Sequence, residues 1–266
     1  MMQKFRIFAG SVNVVSESLG IELTPCSGRD TRPVSHAQAH RPSIGGLDAN
    51  VQDVSVEEWQ SEGVAGALHR PDGDPLAVVV LAHGAGGDHN AVILRRIAEE
   101  LCDRRIAVAR IDLPYRQKRP KGPPHPSGAP ADRAGIAAAC DAFSSQSTGP
   151  LIVGGHSYGG RQASMAVAEN PDIADGLLLT SYPLHPPGRP EKMRTDHLPS
   201  IAKPVLVVHG ATDPFGTTDE LTAAVAMIPS PTRFLDLPRV GHDLKPDRSG
   251  APRLIATEVL DFFSIG

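Results

Sequence analysis

The spacing of apolar and polar positions divides the chain into two parts. Residues 51–57 alternate apolar and polar side chains, which is typical of a half-buried strand, and residues 63–68 are suited to pair with them in a hairpin. From Leu76 onward, continuous apolar stretches alternate with amphipathic ones. Residues 77–82 are apolar on both faces, which indicates a central parallel strand covered on both sides.

This alternation continues to the C-terminus and predicts an α/β fold. Further strands are predicted at 106–111, 151–153, 176–180, 204–208 and 233–237, and helices at 91–103, 131–143, 218–228 and 252–263, with one more directly after Ser157. The sequence therefore predicts one domain over residues 51–266, with a mostly parallel sheet and helices on both faces. In such sheets the ligand site lies beyond the C-terminal ends of the strands.

The first fifty residues have a different character. Residues 27–50 are rich in Ser, His, Arg, Pro and Gly and show no helical or strand period, so we expect residues 1–50 to form a disordered extension. Residues 7–15, preceded by Lys4 and Arg6, loosely resemble a secretory signal. The apolar part is short and interrupted, and no clear cleavage site follows, so we do not expect export.

Composition narrows the classes of partner. The formal net charge of -4 gives no indication of nucleic-acid binding, and no apolar run is long enough to span a membrane. Cys26, Cys102 and Cys140 have no metal-site spacing, and an odd, sparse set of cysteines suits a reducing cytoplasm. We therefore expect a cytoplasmic protein with a small-molecule substrate, while the oligomeric state stays open.

A nucleophile motif follows the strand at 151–153. Gly155-His156-Ser157-Tyr158-Gly159 has the form Gly-x-Ser-x-Gly between a buried strand and a helix. A serine at so sharp a strand-to-helix turn needs neighbours without bulk, and its hydroxyl is then exposed above the sheet. Such a motif also occurs in ordinary loops, so its meaning depends on whether the rest of the chain supplies partners.

A glycine-rich loop at 83–87 follows the first central strand and supplies one partner. Acyl transfer through a serine needs backbone N–H donors for the oxyanion of the tetrahedral intermediate. We expect these from Tyr158, directly after the serine, and from Ala85, with Gly86 as the alternative. A phosphate-binding loop is the other interpretation, but the spacing lacks both Gly-x-Gly-x-x-Gly and a following Lys-Ser/Thr.

The base and the acid are expected at two later strand ends. His242 follows the last predicted strand, and Asp213 follows the strand at 204–208. A serine hydroxyl needs a base to take its proton, and the base needs an acid to fix its tautomer. The order Ser157, Asp213, His242 predicts a catalytic triad, with Asp236 and Asp243 as weaker candidates for the acid.

Two loops are expected to determine specificity. The loop from Leu113 through Pro130 carries Tyr115 and the four cations Arg116, Lys118, Arg119 and Lys121, which either attract an anionic substrate or form a solvated rim. The second loop, after residue 180, carries Tyr182 and His185. Gly86, Tyr115, Tyr182 and His185 are candidates to line the substrate pocket, although Tyr182 and His185 are equally suited to anchor their loop. The connection at 181–203 is too short for a lid domain.

The cluster of His83, Asp88 and His89 contains residue types that can bind a metal. Its spacing fits no helix-borne ligand pair, so no metal and no cofactor is expected.

These motifs together resemble the α/β-hydrolase superfamily, and its dienelactone-hydrolase-like branch. Leu-Ala-His-Gly-Ala-Gly-Gly-Asp at 81–88, Leu-Pro-Tyr at 113–115, Ser-Tyr-Gly-Gly-Arg at 157–161 and Ser-Tyr-Pro-Leu-His-x-Pro at 181–187 are similar to the hydrolase-like domain family of testis-expressed protein 30 and a subunit of the NSL chromatin complex. The likeness covers residues 76–244. That family usually has Arg and Met around the serine, where this chain has His156 and Tyr158.

The resemblance implies an α/β-hydrolase fold without a lid. Dienelactone hydrolase itself carries a cysteine nucleophile, so Ser157 argues against its substrate. The residues predict a serine hydrolase that cleaves a carboxylic ester or thioester. A non-catalytic interaction module on the same fold is the alternative, although none of the expected triad residues is missing.

Overall fold

A computed structural model describes residues 13–15, 55–61 and 63–266 of the chain. The predicted N-terminal extension falls outside these residues, apart from Asn13–Val15, so its disorder and the lack of an export signal stay predictions.

The described residues form one sheet of nine strands. In chain order these are β1 Asn13–Val15, β2 Ser55–Ser61, β3 Val64–Arg70, β4 Ala77–Ala82, β5 Ile106–Asp112, β6 Leu151–His156, β7 Gly176–Thr180, β8 Val205–Gly210 and β9 Thr232–Leu237. They lie side by side in the order β1-β9-β8-β7-β6-β4-β5-β3-β2. β2 and β3 form the predicted antiparallel hairpin, β3 is antiparallel to β5, and every other pairing is parallel.

Helices cover both faces of this sheet. They are α1 Val92–Cys102, α2 Pro114–Lys118, α3 Ala129–Phe143, α4 Tyr158–Glu169, α5 Thr218–Val225 and α6 Ala251–Phe262. The side chains of α3, α4 and α5 join one hydrophobic core, and those of α1 and α6 join the other. The two cores lie on opposite faces because successive side chains of a strand point in opposite directions.

Strand β4 illustrates how the sequence produces these two cores. Val78 and Val80 belong to the core with α3 and α4, while Val79 and Leu81 belong to the core with α1 and α6. All four side chains are buried. A strand buried on both faces has no polar position, which is why its sequence is a continuous apolar run.

The α/β fold predicted from the pattern is confirmed, including the absence of a lid. Between the end of β7 at Thr180 and the start of β8 at Val205, the only regular element is a single 3₁₀ turn at Leu198–Ser200. The short helix α2 was not predicted, because five residues that begin with a proline and carry three polar side chains show no helical period. No helix among the described residues has the length and apolar character that a membrane span requires.

Candidate active site

Ser157 lies at a sharp turn between β6 and α4. Its φ of 52° and ψ of -115° place a non-glycine residue in the left-handed region, which costs about 1–3 kcal/mol. A Cβ added at Gly155 would lie 2.1 Å from the carbonyl oxygen of Ala82, and one at Gly159 would lie 2.4 Å from the same atom. Only glycine fits at these two positions, as the motif predicted, and the strained turn holds the Ser157 side chain beyond the end of the sheet.

Ser157, His242 and Asp213 form a continuous hydrogen-bonded chain. The Oγ of Ser157 lies 2.8 Å from Nε2 of His242, and Nδ1 of His242 lies 2.7 Å from Oδ2 of Asp213. Since a carboxylate only accepts hydrogen bonds, Nδ1 carries the ring proton and Nε2 is free to accept the proton of Ser157. The three side chains therefore have the geometry in which a serine hydroxyl loses its proton to a histidine.

The carboxylate of Asp213 is fixed on both of its oxygens. Its side chain is fully buried, and Oδ1 accepts the backbone N–H of Phe215 at 2.9 Å while Oδ2 faces His242. The other acids considered from sequence make different contacts. Oδ2 of Asp236 accepts the hydroxyl of Thr218 at 3.0 Å, and Oδ1 of Asp243 accepts the N–H of Lys245 at 3.3 Å.

Two rings hold the imidazole of His242 in place. The ring of Phe215 lies 4.3 Å from that of His242 between centroids, and the ring of His156 lies 5.3 Å away. Burial, and after it the charge on His242, lower the pKa of His156 to about 3. His156 is therefore neutral at neutral pH and does not repel the imidazolium that His242 becomes when it accepts a proton.

The loop at 83–87 presents free N–H groups beside Ser157. The N–H groups of Ala85, Gly86 and Tyr158 have no acceptor among the described residues. A Cβ added at Gly84 would lie 3.6 Å from the Cβ of Ser157, so the loop packs directly against the nucleophile. Free donors at this place are what an oxyanion requires.

The orientation of this loop follows from bonds to its carbonyl groups. Nδ1 of His83 donates to the oxygen of Gly84 at 2.8 Å, and the hydroxyl of Tyr115 donates to the oxygen of Ala85 at 2.9 Å. Because the N–H of a planar trans peptide points away from its carbonyl, fixing these two oxygens also fixes the N–H groups of Ala85 and Gly86. Both remain candidates for the second oxyanion donor.

Arg116 is the main support of the loop, a role that no feature of the sequence indicated. Its buried guanidinium donates to the oxygens of Gly87 at 2.7 Å and Ala85 at 3.2 Å, and also to those of Arg119 and Gly122. No carboxylate of the described chain forms an ion pair with it. In the sequence Arg116 belongs to a run of cations, and nothing there distinguishes it from its exposed neighbours.

The candidate lining residues fall into two groups. Gly86 lies in the wall of the pocket that contains Ser157, whereas Tyr115, Tyr182 and His185 are buried behind that wall. The hydroxyl of Tyr182 donates to the backbone oxygen of Arg194 at 2.7 Å, and Nε2 of His185 lies 3.3 Å from Glu220. The lining assignment is therefore corrected for the three buried residues: Tyr115 supports the loop at 83–87, and Tyr182 and His185 anchor the loop after β7.

The pocket above Ser157 has a volume of about 1190 Å³. Pro124 and Pro126 of the long loop before α3 contribute to its wall, as expected from sequence. Lys118, Arg119 and Lys121 of that loop are exposed and outside the wall, which favours the solvated-rim interpretation for them. Among the described residues no group of His, Cys, Asp and Glu has the arrangement of a metal site.

Comparison with solved structures identifies the same architecture elsewhere. A dienelactone hydrolase from Anabaena variabilis superposes with a TM-score of 0.61 at 22% identity, covering 79% of this chain and 97% of that one. Est1E from Butyrivibrio proteoclasticus gives 0.62 at 17% identity, with coverage of 79% and 99%. XC6422 from Xanthomonas campestris, an α/β serine hydrolase without a lid, gives 0.59 at 17% identity, with coverage of 77% and 94%.

A family model described as an alpha/beta hydrolase domain matches residues 75–255, which include β4 to β9 and all three residues of the hydrogen-bonded chain. This match shows that the chain belongs to the α/β-hydrolase family. The strand order, the turn at Ser157 and the positions of Asp213 and His242 after β8 and β9 agree with it.

Proposed function

We propose that this protein is a serine hydrolase that cleaves a carboxylic ester or thioester through an acyl-enzyme. The observation that carries the proposal is the chain of 2.7 and 2.8 Å hydrogen bonds from Asp213 through His242 to Ser157, which lies next to unused backbone N–H donors. Family membership supports the reaction class but not the substrate. The likeness to the family of testis-expressed protein 30 remains a prediction from sequence motifs.

The proposed reaction uses each of the groups described at the site. His242 removes the proton of Ser157 as its Oγ attacks the substrate carbonyl, and Asp213 stabilises the imidazolium. The N–H groups of Tyr158 and of Ala85 or Gly86 bind the oxyanion. His242 then gives the proton to the leaving alcohol or thiol. Water, activated by the same histidine, releases the acid and restores Ser157.

A fluorophosphonate probe tests this proposal directly. Such a probe phosphonylates an activated serine, so we expect stoichiometric labelling of the wild-type protein on the peptide that contains Ser157, read by mass spectrometry. Ser157→Ala should abolish labelling, while Ser200→Ala, at a serine in the 3₁₀ turn outside the pocket, should leave it intact.

Two results would contradict the proposal. An unlabelled wild-type protein would favour a non-catalytic interaction module on this fold, and equal labelling of wild type and Ser157→Ala would place the reactive group elsewhere. A series of 4-nitrophenyl esters and matching thioesters of increasing chain length then determines the preferred leaving atom and the size of the acyl site.

A further inference from the structure

Two arginines lie in the pocket wall beside Ser157 without an acidic partner. Arg161 is on the first turns of α4, where its backbone N–H donates to the oxygen of Ser157 at 3.0 Å, and Arg194 is on the loop between β7 and β8. Both side chains are partly buried. No carboxylate in the described part of the chain forms an ion pair with either one.

The contacts of these arginines leave donors unused. Nε of Arg161 is buried and has no hydrogen-bond partner among the described residues. Arg194 donates from Nη1 to the oxygen of Pro183 at 2.9 Å, and its own backbone oxygen is held by Tyr182. This buried Nε shows that the described protein groups do not compensate the guanidinium of Arg161, and its terminal Nη groups, which also have no hydrogen-bond partner among the described residues, are the donors left for a ligand.

The two arginines lie in the wall of the same pocket, where the charge of one acts on the other. Burial, and after it the charge on Arg161, lower the pKa of Arg194. The adjacent His197 adds no positive charge at neutral pH, because burial and Arg161 lower its pKa to about 4. Two neighbouring cations in a partly buried site repel each other, and an anion bound between them removes that repulsion.

Two of the acids around this part of the pocket are paired with other arginines. Glu169 pairs with Arg133 at 2.9 Å, and on the opposite wall Asp247 pairs with Arg96 at 2.7 Å. Asp196 is exposed, on the same loop as Arg194. Asp243, also in the wall, accepts the N–H of Lys245 and forms no ion pair with either arginine. Arg161 and Arg194 therefore have no carboxylate partner in the described part of the wall, where they lie with apolar residues such as Met165 and Pro183.

We propose that the substrate is an ester or thioester that carries a carboxylate, and that Arg161 and Arg194 bind this carboxylate. The inference rests on the proposed hydrolase function and adds the substrate class to it. A planar guanidinium matches the two oxygens of a carboxylate, which favours two arginines over lysines at such a site.

Pairs of esters of similar size, one anionic and one neutral, test the inference. Comparing kcat/KM for mono-4-nitrophenyl adipate and 4-nitrophenyl heptanoate tests a carboxylate on the acyl side of the ester. Comparing 4-acetoxybenzoate and 4-acetoxybenzamide tests a carboxylate on the alcohol side. We expect the wild-type protein to prefer the anionic member of at least one pair by about tenfold in kcat/KM, since a hydrogen bond to a charged group has that order of effect.

The variants assign this preference to the two arginines. In Arg161→Met the ratio of anionic to neutral kcat/KM should fall to near one, and in Arg194→Met it should fall in the same direction. Arg253→Met, at an exposed arginine of α6 outside the pocket, should keep the wild-type ratio. The preference should also weaken between 50 and 500 mM salt, because salt screens the attraction.

The outcomes separate this inference from the proposed function. Hydrolysis that depends on Ser157, without a preference for either anionic ester or with a preference that Arg161→Met retains, overturns the carboxylate site and leaves the hydrolase intact. If no ester is cleaved and no fluorophosphonate reacts, the proposed function and this inference both fall.

Discussion

We expect Asp213→Asn to lower kcat for ester hydrolysis by about 10⁴-fold, with a small change in KM. An amide in place of the carboxylate can donate to Nδ1 of His242, which moves the ring proton to Nε2. That nitrogen faces Ser157 at 2.8 Å and could then no longer accept the serine proton. The uncharged amide would also not stabilise the imidazolium. Steady-state kinetics with a 4-nitrophenyl ester measure the loss.

Asp236→Asn is the matched control for this prediction. Asp236 lies on the neighbouring strand β9, but its carboxylate contacts Thr218 and not His242, so kcat should stay within a few fold of wild type. A variant Asp213→Asn that keeps more than a tenth of the wild-type kcat would contradict the assignment of the acid. A large loss in Asp236→Asn with an unchanged Asp213→Asn would transfer the role to β9.

The fold could be predicted because its signals are local and repeated. Strand β4 is a continuous apolar run, and α1 places Ile93, Ile97 and Leu101 on one buried face. The type of each element can therefore be predicted from its own residues alone. The positions of Ser157, Asp213 and His242 at strand ends follow from the parallel sheet itself, because the C-terminal ends of its strands meet at one edge. For the same reason, the hydrogen-bonded chain could be proposed before any distance was known.

Side chains on the loops could not be placed in this way. Tyr182 and His185 carry groups that suit a pocket wall, yet both are buried. Tyr182 donates to Arg194 of its own loop, and His185 contacts Glu220 of α5. The sequence shows which residues a loop contains but not which way they face, since no periodic pattern relates loop positions to the core. The reverse holds for Arg161. It is part of a sequence motif and was not expected in the pocket, but the structure places it in the pocket wall.

Arg116 shows how far composition can mislead within one loop. Four cations follow one another closely in this loop, and their shared charge suggests a shared role. In the structure Arg116 is buried against backbone oxygens, while the other three are exposed. A guanidinium has five N–H donors in a fixed plane, which is why it can bind several carbonyl groups at once and a lysine could not replace it.

We expect Arg116→Met to lower kcat by about 10²-fold while KM changes little, because removal of an oxyanion donor has an effect of this size and Arg116 positions the loop that supplies one. Arg116→Lys should recover only part of the loss, since an ammonium group cannot reach Ala85 and Gly87 together in the same plane. The affinity for a trifluoromethyl ketone, which forms an oxyanion when Ser157 adds to it, should fall in parallel with kcat/KM.

This parallel separates positioning of the oxyanion site from a general loss of structure. Destabilisation alone would lower the melting temperature and the fraction of active protein, without changing kcat per labelled Ser157. Arg119→Met is the matched control, because Arg119 lies in the same loop but its side chain donates to Pro123 and not to the oxyanion loop. A kcat per active site that is unchanged in Arg116→Met, or reduced equally in Arg119→Met, would show that Arg116 supports only the fold of the loop.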